Sequence, residues 1–273
     1  MSRSATTVLI TGANGGIGYQ TALALLQSSQ TYKIFLGARS AEKANEAIRT
    51  LKEQIPDSKC QQVPVIIDIE DDRSIADLYT KIKSETETLD VLINNAGANF
   101  DQQTSKIGLT PREMFNKTWD LNVTGSHLLT TQFAPLLVKS DNARLIFLTS
   151  GLSSIAQSEN DKVPFNAVPP AGWPKDFSRE YPAYKSVKVG LNMLMRDWYR
   201  WLKNDNVKVW TVNPGLTATN LGGNIEHLKK IGAGDPKFAG QFIRSVVEGE
   251  RDHLVGKTIN APNASPYGDI LPW

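Results

Sequence analysis

A tyrosine and a lysine placed one helical turn apart are the residues in this sequence most suited to proton transfer. Tyr184 and Lys188 are four residues apart, so on a helix both side chains lie on one face and reach the same ligand. A free phenol has a pKa of about 10 and is a poor acid–base catalyst at neutral pH. A neighbouring ammonium stabilises the phenolate, so we expect Lys188 to lower the pKa of Tyr184 toward the working range. The same spacing also occurs by chance on many helix faces, and further motifs must decide its meaning.

A glycine-rich loop near the N-terminus has the form of a nucleotide-binding turn. Residues Val8–Gly18 read VLITGANGGIG, which is an apolar strand, a turn and the start of a helix. Gly12 permits the sharp turn, Gly16 leaves room for a pyrophosphate beside the backbone, and Gly18 lets the helix pack against the sheet. The helix N-terminus offers free N–H groups and a positive dipole to phosphate. The loop predicts a dinucleotide site, with an ordinary glycine-rich turn as the other interpretation.

The end of the second predicted strand indicates which dinucleotide is bound. Residues Tyr32–Arg39 form a short apolar strand that ends where the adenosine ribose is expected. An NAD site usually places Asp or Glu there to bind the 2′-hydroxyl, whereas this chain has Ala38 followed by Arg39. A guanidinium suits a 2′-phosphate, so we predict NADP, with NADPH as the reduced form. A solvated loop charge is the alternative interpretation of Arg39.

Strand and helix patterns alternate through the first half of the chain. The pattern predicts helices over Tyr19–Gln27, Ala41–Gln54 and Asp72–Glu85, and further strands over Val63–Ile67 and Leu89–Ile93. This alternation predicts an α/β fold of the Rossmann type, a doubly wound, mainly parallel β-sheet with helices on both faces. We expect one domain over residues 1–273, with residues 8–150 as its dinucleotide-binding half.

Further motifs, taken with the glycine loop and the tyrosine–lysine pair, closely resemble those of the short-chain dehydrogenase/reductase family. Asn94–Gly97 read NNAG at a strand end, Asn122 lies in LNVTG, Ser150 follows an apolar strand over Leu145–Thr149, and Asn213–Thr219 read NPGLTAT. The motifs run in family order from Val8 to about Asn220. The resemblance implies an NADP-dependent oxidoreductase acting on CH–OH and C=O groups.

The resemblance also implies a role for each candidate catalytic residue. Tyr184 donates a proton to a carbonyl oxygen whose carbon receives hydride from the nicotinamide. Lys188 lowers the pKa of that tyrosine and holds the nicotinamide ribose. Ser150 hydrogen-bonds the substrate oxygen and stabilises the charge that develops there. Asn122 anchors a water in the relay that returns a proton to Tyr184.

Cofactor contacts are implied for residues of the glycine loop and of the strand ends. Asp68 accepts from the adenine amino group, Ile69 lies beside the ring, and Asn14 assists Arg39 at the 2′-phosphate. The full implied set is Gly12, Asn14, Gly16, Ile17, Gly18, Arg39, Asp68, Ile69, Asn95, Ala96, Gly97, Tyr184, Lys188, Pro214, Gly215, Leu216 and Thr217. NADP-preferring relatives often carry a basic residue inside the glycine loop, where this chain has Gly15, so Arg39 stands nearly alone.

Composition excludes several other classes of protein. The chain has 273 residues, 40% of them hydrophobic and 21% charged, which suits one large domain. A net charge of +2 with interspersed signs argues against nucleic-acid binding. The single cysteine, Cys60, permits no internal disulfide, and no signal peptide or membrane-spanning run is evident, so we expect a cytoplasmic protein without a membrane partner. The three histidines are scattered, and we predict no metal site.

Two segments depart from the usual family pattern. An insertion over residues 157–180, rich in proline, precedes the candidate tyrosine and resembles that of carbonyl-reductase-like members. It is either a tolerated surface loop or a flap beside the substrate mouth, with Phe165, Trp173 or Phe177 adding apolar surface. In those members it lies across the face that others use to oligomerise, which leaves both a monomer and a homodimer open. Residues 216–240 correspond to the family's substrate-binding loop, with glycines typical of a lid.

The C-terminal part of the sequence predicts its remaining elements. We predict a helix over Phe238–Glu248 and a last strand near Leu254–Asn260. Trp198, Tyr199 and Trp201 are expected to follow the helix of Tyr184 and to pack beneath it.

The favoured function is NADPH-dependent reduction of a ketone or aldehyde to an alcohol. An apolar substrate mouth favours a lipophilic or polyketide-like carbonyl compound as the small-molecule substrate. Three alternatives stay open at this point: an NAD(P)-linked alcohol dehydrogenase working in the oxidative direction, a non-catalytic NADP-binding sensor, and reduction of an imine or enone at the same site.

Overall fold

Short apolar and β-branched runs form the strands of one parallel sheet. The computed structural model describes residues 5–101, 108–161, 163, 166–176, 180–222, 224–262 and 264–273. Its strands are β1 (Thr6–Ile10), β2 (Tyr32–Ala38), β3 (Gln61–Ile66), β4 (Val91–Asn94), β5 (Arg144–Leu148), β6 (Lys208–Asn213) and β7 (Thr258–Asn260). They lie in the order β3-β2-β1-β4-β5-β6-β7, and each neighbouring pair is parallel. The predicted α/β Rossmann-type sheet is confirmed.

Amphipathic helices connect these strands. They are α1 (Gly16–Leu26), α2 (Ala41–Gln54), α3 (Asp72–Glu85), α4 (Pro111–Trp119), α5 (Gly125–Leu137), α6 (Ile155–Ser158), α7 (Pro182–Leu202), α8 (Ile225–Lys230) and α9 (Pro236–Val247). A π-helical turn over Asp120–Thr124 joins α4 to α5. Such turns are uncommon and often occur at functional sites, because they rotate the following side chains out of helical register.

The sheet has one hydrophobic core on each face. Along β1, Val8 and Ile10 belong to one buried cluster and Leu9 to the other, because successive strand residues point to opposite faces. Residues of α1, α2 and α9 pack on the first face, and residues of α3, α5 and α7 pack on the second. Both faces of the sheet are therefore covered, and access to bound ligands is left to its edges and ends.

Several predicted boundaries need correction. The first helix begins at Gly16, not at Tyr19, so part of the glycine loop is itself helical. The last strand is confined to Thr258–Asn260, because residues 252–254 form a 3-10 turn and Gly256 has a φ of +79°. The aromatic group that includes Trp198 and Trp201 lies within α7 and does not follow it.

None of the helices in the described part of the chain is both long and apolar enough to cross a lipid bilayer. The same residues contain no group of three or more His, Cys, Asp or Glu side chains arranged to hold a metal ion.

Candidate active site

The glycine loop and the end of β4 hold each other in place at the middle of the sheet. The Thr11 hydroxyl accepts hydrogen bonds from the backbone N–H groups of Asn95 (3.0 Å) and Ala96 (2.9 Å). In return, the Asn95 side-chain amide donates to the carbonyls of Thr11 (2.7 Å) and Gly12 (3.2 Å). The strand order reverses at this point, because β2 and β3 lie on one side of β1 and β4 begins the other side of the sheet. Open parallel sheets bind ligands at such a switch point.

Glycine is required at specific positions of this loop. Gly12 and Gly16 have φ values of +63° and +53°, in the left-handed region that other residues rarely adopt. A Cβ atom on Gly18 would lie 2.5 Å from Nδ2 of Asn95 and 2.7 Å from the Gly12 carbonyl oxygen. The close approach of α1 to the sheet therefore depends on Gly18.

The N-terminus of α1 is suited to hold a pyrophosphate. Its N-cap is Gly15, which provides no side-chain hydrogen bond, and no acidic residue occupies the first turn. A Cβ atom added to Gly15 would have no heavy atom within 4 Å, so the space beside the loop is open. Unpaired helix N–H groups at an open, acid-free helix start are the donors that a phosphate requires. Asn14 is exposed on this loop and Ile17 is partly buried in the first turn.

The residues predicted at the adenosine end lie after β2 and β3. Arg39 is exposed directly after β2, and it has no ion-pair partner among the residues that the structure describes. Asp68 follows β3 and its carboxylate accepts from the N–H of Glu70 at 3.1 Å. Ile69 is only 6% exposed and packs within the second core, its carbonyl close to Gly125.

Four predicted catalytic residues converge where β4, β5 and α7 meet. Tyr184 and Lys188 lie on one face of α7, and the Lys188 amine is 5.5 Å from the centre of the Tyr184 ring. A Cβ atom on Gly97 would lie 2.8 Å from Oδ1 of Asn122 and 3.6 Å from Nζ of Lys188. The space beside Gly97, where a side chain would otherwise begin, is therefore bordered by both the Asn122 amide and the Lys188 amine. Ser150 reaches the same place and hydrogen-bonds the Tyr184 phenol.

Asn122 is held by the π-helical turn with one side of its amide free. Its Nδ2 donates to the carbonyls of Ala98 and Thr118, both at 2.9 Å. Its Oδ1 is buried and has no hydrogen-bond partner among the described residues. An orphaned buried acceptor beside a lysine is costly, and it suits a bound polar group or water.

Burial perturbs both titratable groups of the pair. Burial raises the pKa of Tyr184 to about 12, against a smaller opposing effect of the Ser150 hydrogen bond. Burial also lowers the pKa of Lys188 from 10.5 to about 7. Lys188 is not among the groups that lower the pKa of Tyr184 in this structure. The lysine instead donates a hydrogen bond to the Leu148 carbonyl at 2.9 Å.

Ser150 is positioned by the turn that follows β5. Its hydroxyl accepts from the N–H of Leu152 at 3.2 Å, which caps a 3-10 turn over Gly151–Ser153. Its carbonyl accepts from the Ser153 hydroxyl, and that hydroxyl accepts from Asn192 Nδ2 at 2.8 Å. Asn192 lies one turn after Lys188 on α7, so α7 and the turn of Ser150 are directly connected.

The segment after β6 borders the glycine loop. The Gly215 N–H donates to Oδ1 of Asn213, and Gly215 has a φ of +79°. Leu216 and Ala218 pair with the backbone of Gly234, which ties the beginning of the 216–240 segment to the start of α9. Pro214 and Thr217 are partly buried, while Leu216 is 46% exposed. A Cβ atom on Gly16 would contact Thr219 at 3.5 Å, so this segment also borders the glycine loop.

The insertion over residues 157–180 is described only in part. It begins at the end of the short helix α6, and Trp173 is 78% exposed. Phe165 and Phe177, which were predicted to add apolar surface, lie outside the described residues.

Two polar residues of the site make distant contacts that the local sequence does not indicate. Thr11 lies within the glycine motif, but its hydrogen bonds are made to residues 84 and 85 positions later. Asp101 accepts from the N–H groups of Ala183 (3.0 Å) and Tyr184 (2.9 Å) at the start of α7. Nothing in the local sequence around Asp101 indicates a partner more than 80 residues away.

The parallel sheet, the glycine loop at its switch point and the buried tyrosine–lysine pair define a Rossmann-type dinucleotide-binding protein. The family profile described as short chain dehydrogenase matches residues 6–160. The chain belongs to the short-chain dehydrogenase/reductase family, whose members bind a nicotinamide cofactor and act as oxidoreductases on carbonyl and alcohol groups of small molecules.

Curated relatives match almost the whole chain. The short-chain dehydrogenase/reductase tropE of Talaromyces stipitatus is 40% identical over 253 residues, covering 92% of this chain and 94% of that protein. The short-chain dehydrogenase/reductase eupG of a Phoma species is 44% identical over 252 residues, covering 89% of this chain and 90% of that protein. Among solved structures, the NADPH-bound carbonyl reductase from chicken fatty liver superposes with a TM-score of 0.77 at 22% identity, covering 98% and 99% of the two chains.

Proposed function

We propose that this protein reduces a ketone or aldehyde to an alcohol with NADPH. The observation that carries the proposal is the convergence of the Tyr184 phenol with Ser150, Lys188 and the free oxygen of Asn122. These groups can bind a carbonyl oxygen, give it a proton and replace that proton. A bound reduced nicotinamide supplies the hydride for the carbonyl carbon.

Carbonyl reduction begins with Tyr184 in its protonated form. With a pKa of about 12, its phenol stays protonated at neutral pH and serves as the proton donor to the substrate oxygen. Oxidation of an alcohol requires the phenolate as a base, and burial disfavours that form. Ser150, already hydrogen-bonded to the phenol, is placed to donate to the same substrate oxygen as negative charge develops.

In this proposal, Lys188 and Asn122 return a proton to Tyr184. The lysine, with its pKa near neutrality, exchanges protons readily in the physiological range. Oδ1 of Asn122 is an unsatisfied acceptor that can hold a water within reach of the lysine amine. Because these groups are buried, delivery through them protects the reacting oxygen from bulk solvent.

The preference for NADPH over NADH rests on Arg39. The glycine loop and the α1 N-terminus hold a pyrophosphate equally well in both cofactors, so they do not discriminate. Arg39 is exposed at the end of β2 without an ion-pair partner among the described residues, and its planar guanidinium suits a 2′-phosphate. The chicken carbonyl reductase carries NADPH, but at 22% identity that likeness concerns the fold, so Arg39 carries the proposal.

The surface around the mouth favours a lipophilic carbonyl compound. Apolar side chains of the 216–240 segment remain exposed: Leu216, Leu221, Ile231 and Phe238, with Phe238 at 68%. Several exposed apolar side chains in one segment that borders the glycine loop are typical of a binding surface for an apolar ligand. We therefore assign substrate binding to residues 216–240.

Calorimetric titration of NADPH and NADH into the wild type and Arg39→Ala tests the cofactor. Loss of the 2′-phosphate contact should weaken NADPH binding by about 1.5–3 kcal/mol, roughly tenfold to a hundredfold, and leave NADH unchanged. Equal binding of the two nucleotides by the wild type, unaffected by the substitution, would instead favour NAD-linked alcohol oxidation.

Substitution of Tyr184→Phe tests the chemistry. Loss of the phenolic proton should lower kcat for carbonyl reduction at least a hundredfold while nucleotide affinity is kept. Undiminished turnover would refute the proton-donor role. A wild type that binds NADPH but turns over no carbonyl, imine, enone or alcohol compound would support a non-catalytic sensor.

A further inference from the structure

The first turn of α7 is held by a carboxylate from a distant loop. Asp101 Oδ1 accepts from the N–H of Ala183 at 3.0 Å, and its Oδ2 accepts from the N–H of Tyr184 at 2.9 Å. Asp101 lies four residues after Gly97, at the end of the segment that follows β4. One side chain therefore connects the nucleotide side of the site to the backbone of the candidate catalytic tyrosine.

No residue at the start of the helix could replace this contact. The N-cap position is Tyr181, whose side chain makes no capping hydrogen bond, and Pro182 has no N–H. The first free N–H groups are those of Ala183 and Tyr184, and both are bound by Asp101. In most helices these groups are bound by a Ser, Thr, Asp or Asn immediately before the helix.

The Asp101 carboxylate is held in a partly buried position. Burial raises the pKa of Asp101 above its usual range. Smaller effects oppose this rise: the hydrogen bonds from the N–H groups of Ala183 and Tyr184 and from its own backbone, and the positive charge of Lys185. A raised pKa means that folding disfavours the ionised form, so at neutral pH the charge lowers stability. The backbone of Asp101 is nevertheless fixed, because its N–H donates to Oδ1 of Asn99 at 3.0 Å. This fixed carboxylate caps the helix that carries Tyr184 through two hydrogen bonds to its first N–H groups.

We propose that Asp101 is a positioning residue that sets the place of the Tyr184 side chain relative to Ser150 by fixing the first turn of α7. The inference rests on the proposed role of Tyr184 as proton donor. Both acceptor oxygens are needed, because Ala183 and Tyr184 present their N–H groups side by side. Small displacements of a proton donor lower the rate of the chemical step much more than they alter binding.

Substitution of Asp101→Asn tests this role with little change in size. The amide keeps one acceptor oxygen and turns an NH2 group toward the second N–H, so one of the two hydrogen bonds is lost. We expect kcat for carbonyl reduction to fall about tenfold, with KM and the NADPH dissociation constant within about twofold of the wild type. We also expect a modest fall in the urea midpoint, since one hydrogen bond to the start of the helix is lost.

Asp90→Asn is the matched control. Asp90 is another partly buried carboxylate that binds a backbone N–H, that of Thr7 at 2.7 Å, and it also accepts from Ser140 at 2.6 Å. It precedes β4 at the amino ends of the strands, at the opposite edge of the sheet from the site. We expect this variant to lose stability and to keep kcat within about twofold.

The outcomes separate the inference from the proposed function. A kcat of Asp101→Asn within twofold of the wild type, with Tyr184→Phe inactive, would overturn the role of Asp101 alone. A kcat that falls in both carboxylate variants in proportion to lost stability would also overturn it. Undiminished turnover by Tyr184→Phe would refute the proposed function itself. If Asp101→Asn does not fold, Asp101→Glu replaces it in the test. The longer side chain keeps the charge but displaces the two acceptor oxygens. A kcat of Asp101→Glu equal to that of the wild type would overturn the inference.

Discussion

Replacing Lys188 by methionine should make the protein more stable and inactive. The amine is 4% exposed, and its pKa is lowered from 10.5 to about 7 because burial disfavours the charged form. At about 1.4 kcal/mol per pKa unit, this difference costs the folded state roughly 4 kcal/mol at neutral pH. Lys188→Met removes that cost and keeps a side chain of similar length.

The gain is reduced by one lost hydrogen bond. Lys188 donates to the Leu148 carbonyl at 2.9 Å, and leaving that buried carbonyl without its partner costs about 1–3 kcal/mol. The desolvation effect is the larger of the two. We therefore expect Lys188→Met to raise the free energy of unfolding by about 1–3 kcal/mol at pH 7 and to lower kcat at least about a hundredfold.

The pH dependence gives the sharper measurement. Because the pKa of Lys188 is lowered in the folded state, its burial costs no stability above the unfolded pKa of 10.5. The cost in stability grows as the pH decreases toward 7. Between pH 7 and pH 9 the wild type should gain about 2 kcal/mol from this group, and Lys188→Met should gain none of it. The raised pKa of Tyr184 affects stability only above pH 10, its usual value, and does not interfere.

Urea unfolding of both proteins without nucleotide, at several pH values, measures this difference. Lys185→Met is the control, because that lysine is 27% exposed and pairs with Glu180 at 3.6 Å, so its removal should change stability by less than about 1 kcal/mol. The reasoning is refuted if Lys188→Met is less stable than the wild type at pH 7, or if their difference does not shrink by pH 9.

Two further predictions concern the scaffold. Burial alone raises the pKa of Asp252, but hydrogen bonds from Arg144 and Lys208 bring it below its usual 3.8. Asp252→Asn should therefore lower the free energy of unfolding by about 2 kcal/mol at pH 7, because Arg144 is 3% exposed and would lose its partner. This difference should shrink as the pH falls through the folded pKa of Asp252, and a constant difference in urea melts would contradict it. Gly18→Ala should lower the free energy of unfolding by about 1–3 kcal/mol, since its Cβ would lie 2.7 Å from the Gly12 carbonyl oxygen. Gly15→Ala is the control and should change the urea midpoint little, because its Cβ would have no heavy atom within 4 Å. Equal effects of the two substitutions would contradict the packing argument.

The sequence predicted the fold because its signals are local. Glycines at positions 12, 16 and 18, the apolar strands and the amphipathic helices each act within about fifteen residues. The bounds of α2 and α3 match the prediction, because each begins with a polar capping residue, Ser40 or Asp71, just before an apolar period. The last strand was predicted too long because the turn before it retains apolar residues.

The candidate site was predicted less completely, because its details depend on distant contacts. The spacing of Tyr184 and Lys188 correctly places them on one helix face, but it does not show how deeply they are buried. The rise in the pKa of Tyr184 that burial causes is therefore not visible in the spacing. Asp101 was missed for the same reason, since its partners follow it by 82 and 83 residues. The assigned roles of the site residues stay predictions for the experiments above.

The strand order also has a consequence for how the chain folds while it is synthesised. β1 leaves the ribosome first, yet it is flanked by β2 and β4, and the sheet then grows in one direction through β5 and β6 to β7. The edge at β3 is protected by Pro64, which cannot donate a ladder hydrogen bond. The growing edge has no such protection until the last strand pairs. Arg144, at the start of β5, gains its carboxylate partner only when Asp252 is translated, 108 residues later, so this ion pair forms after β6 has been made.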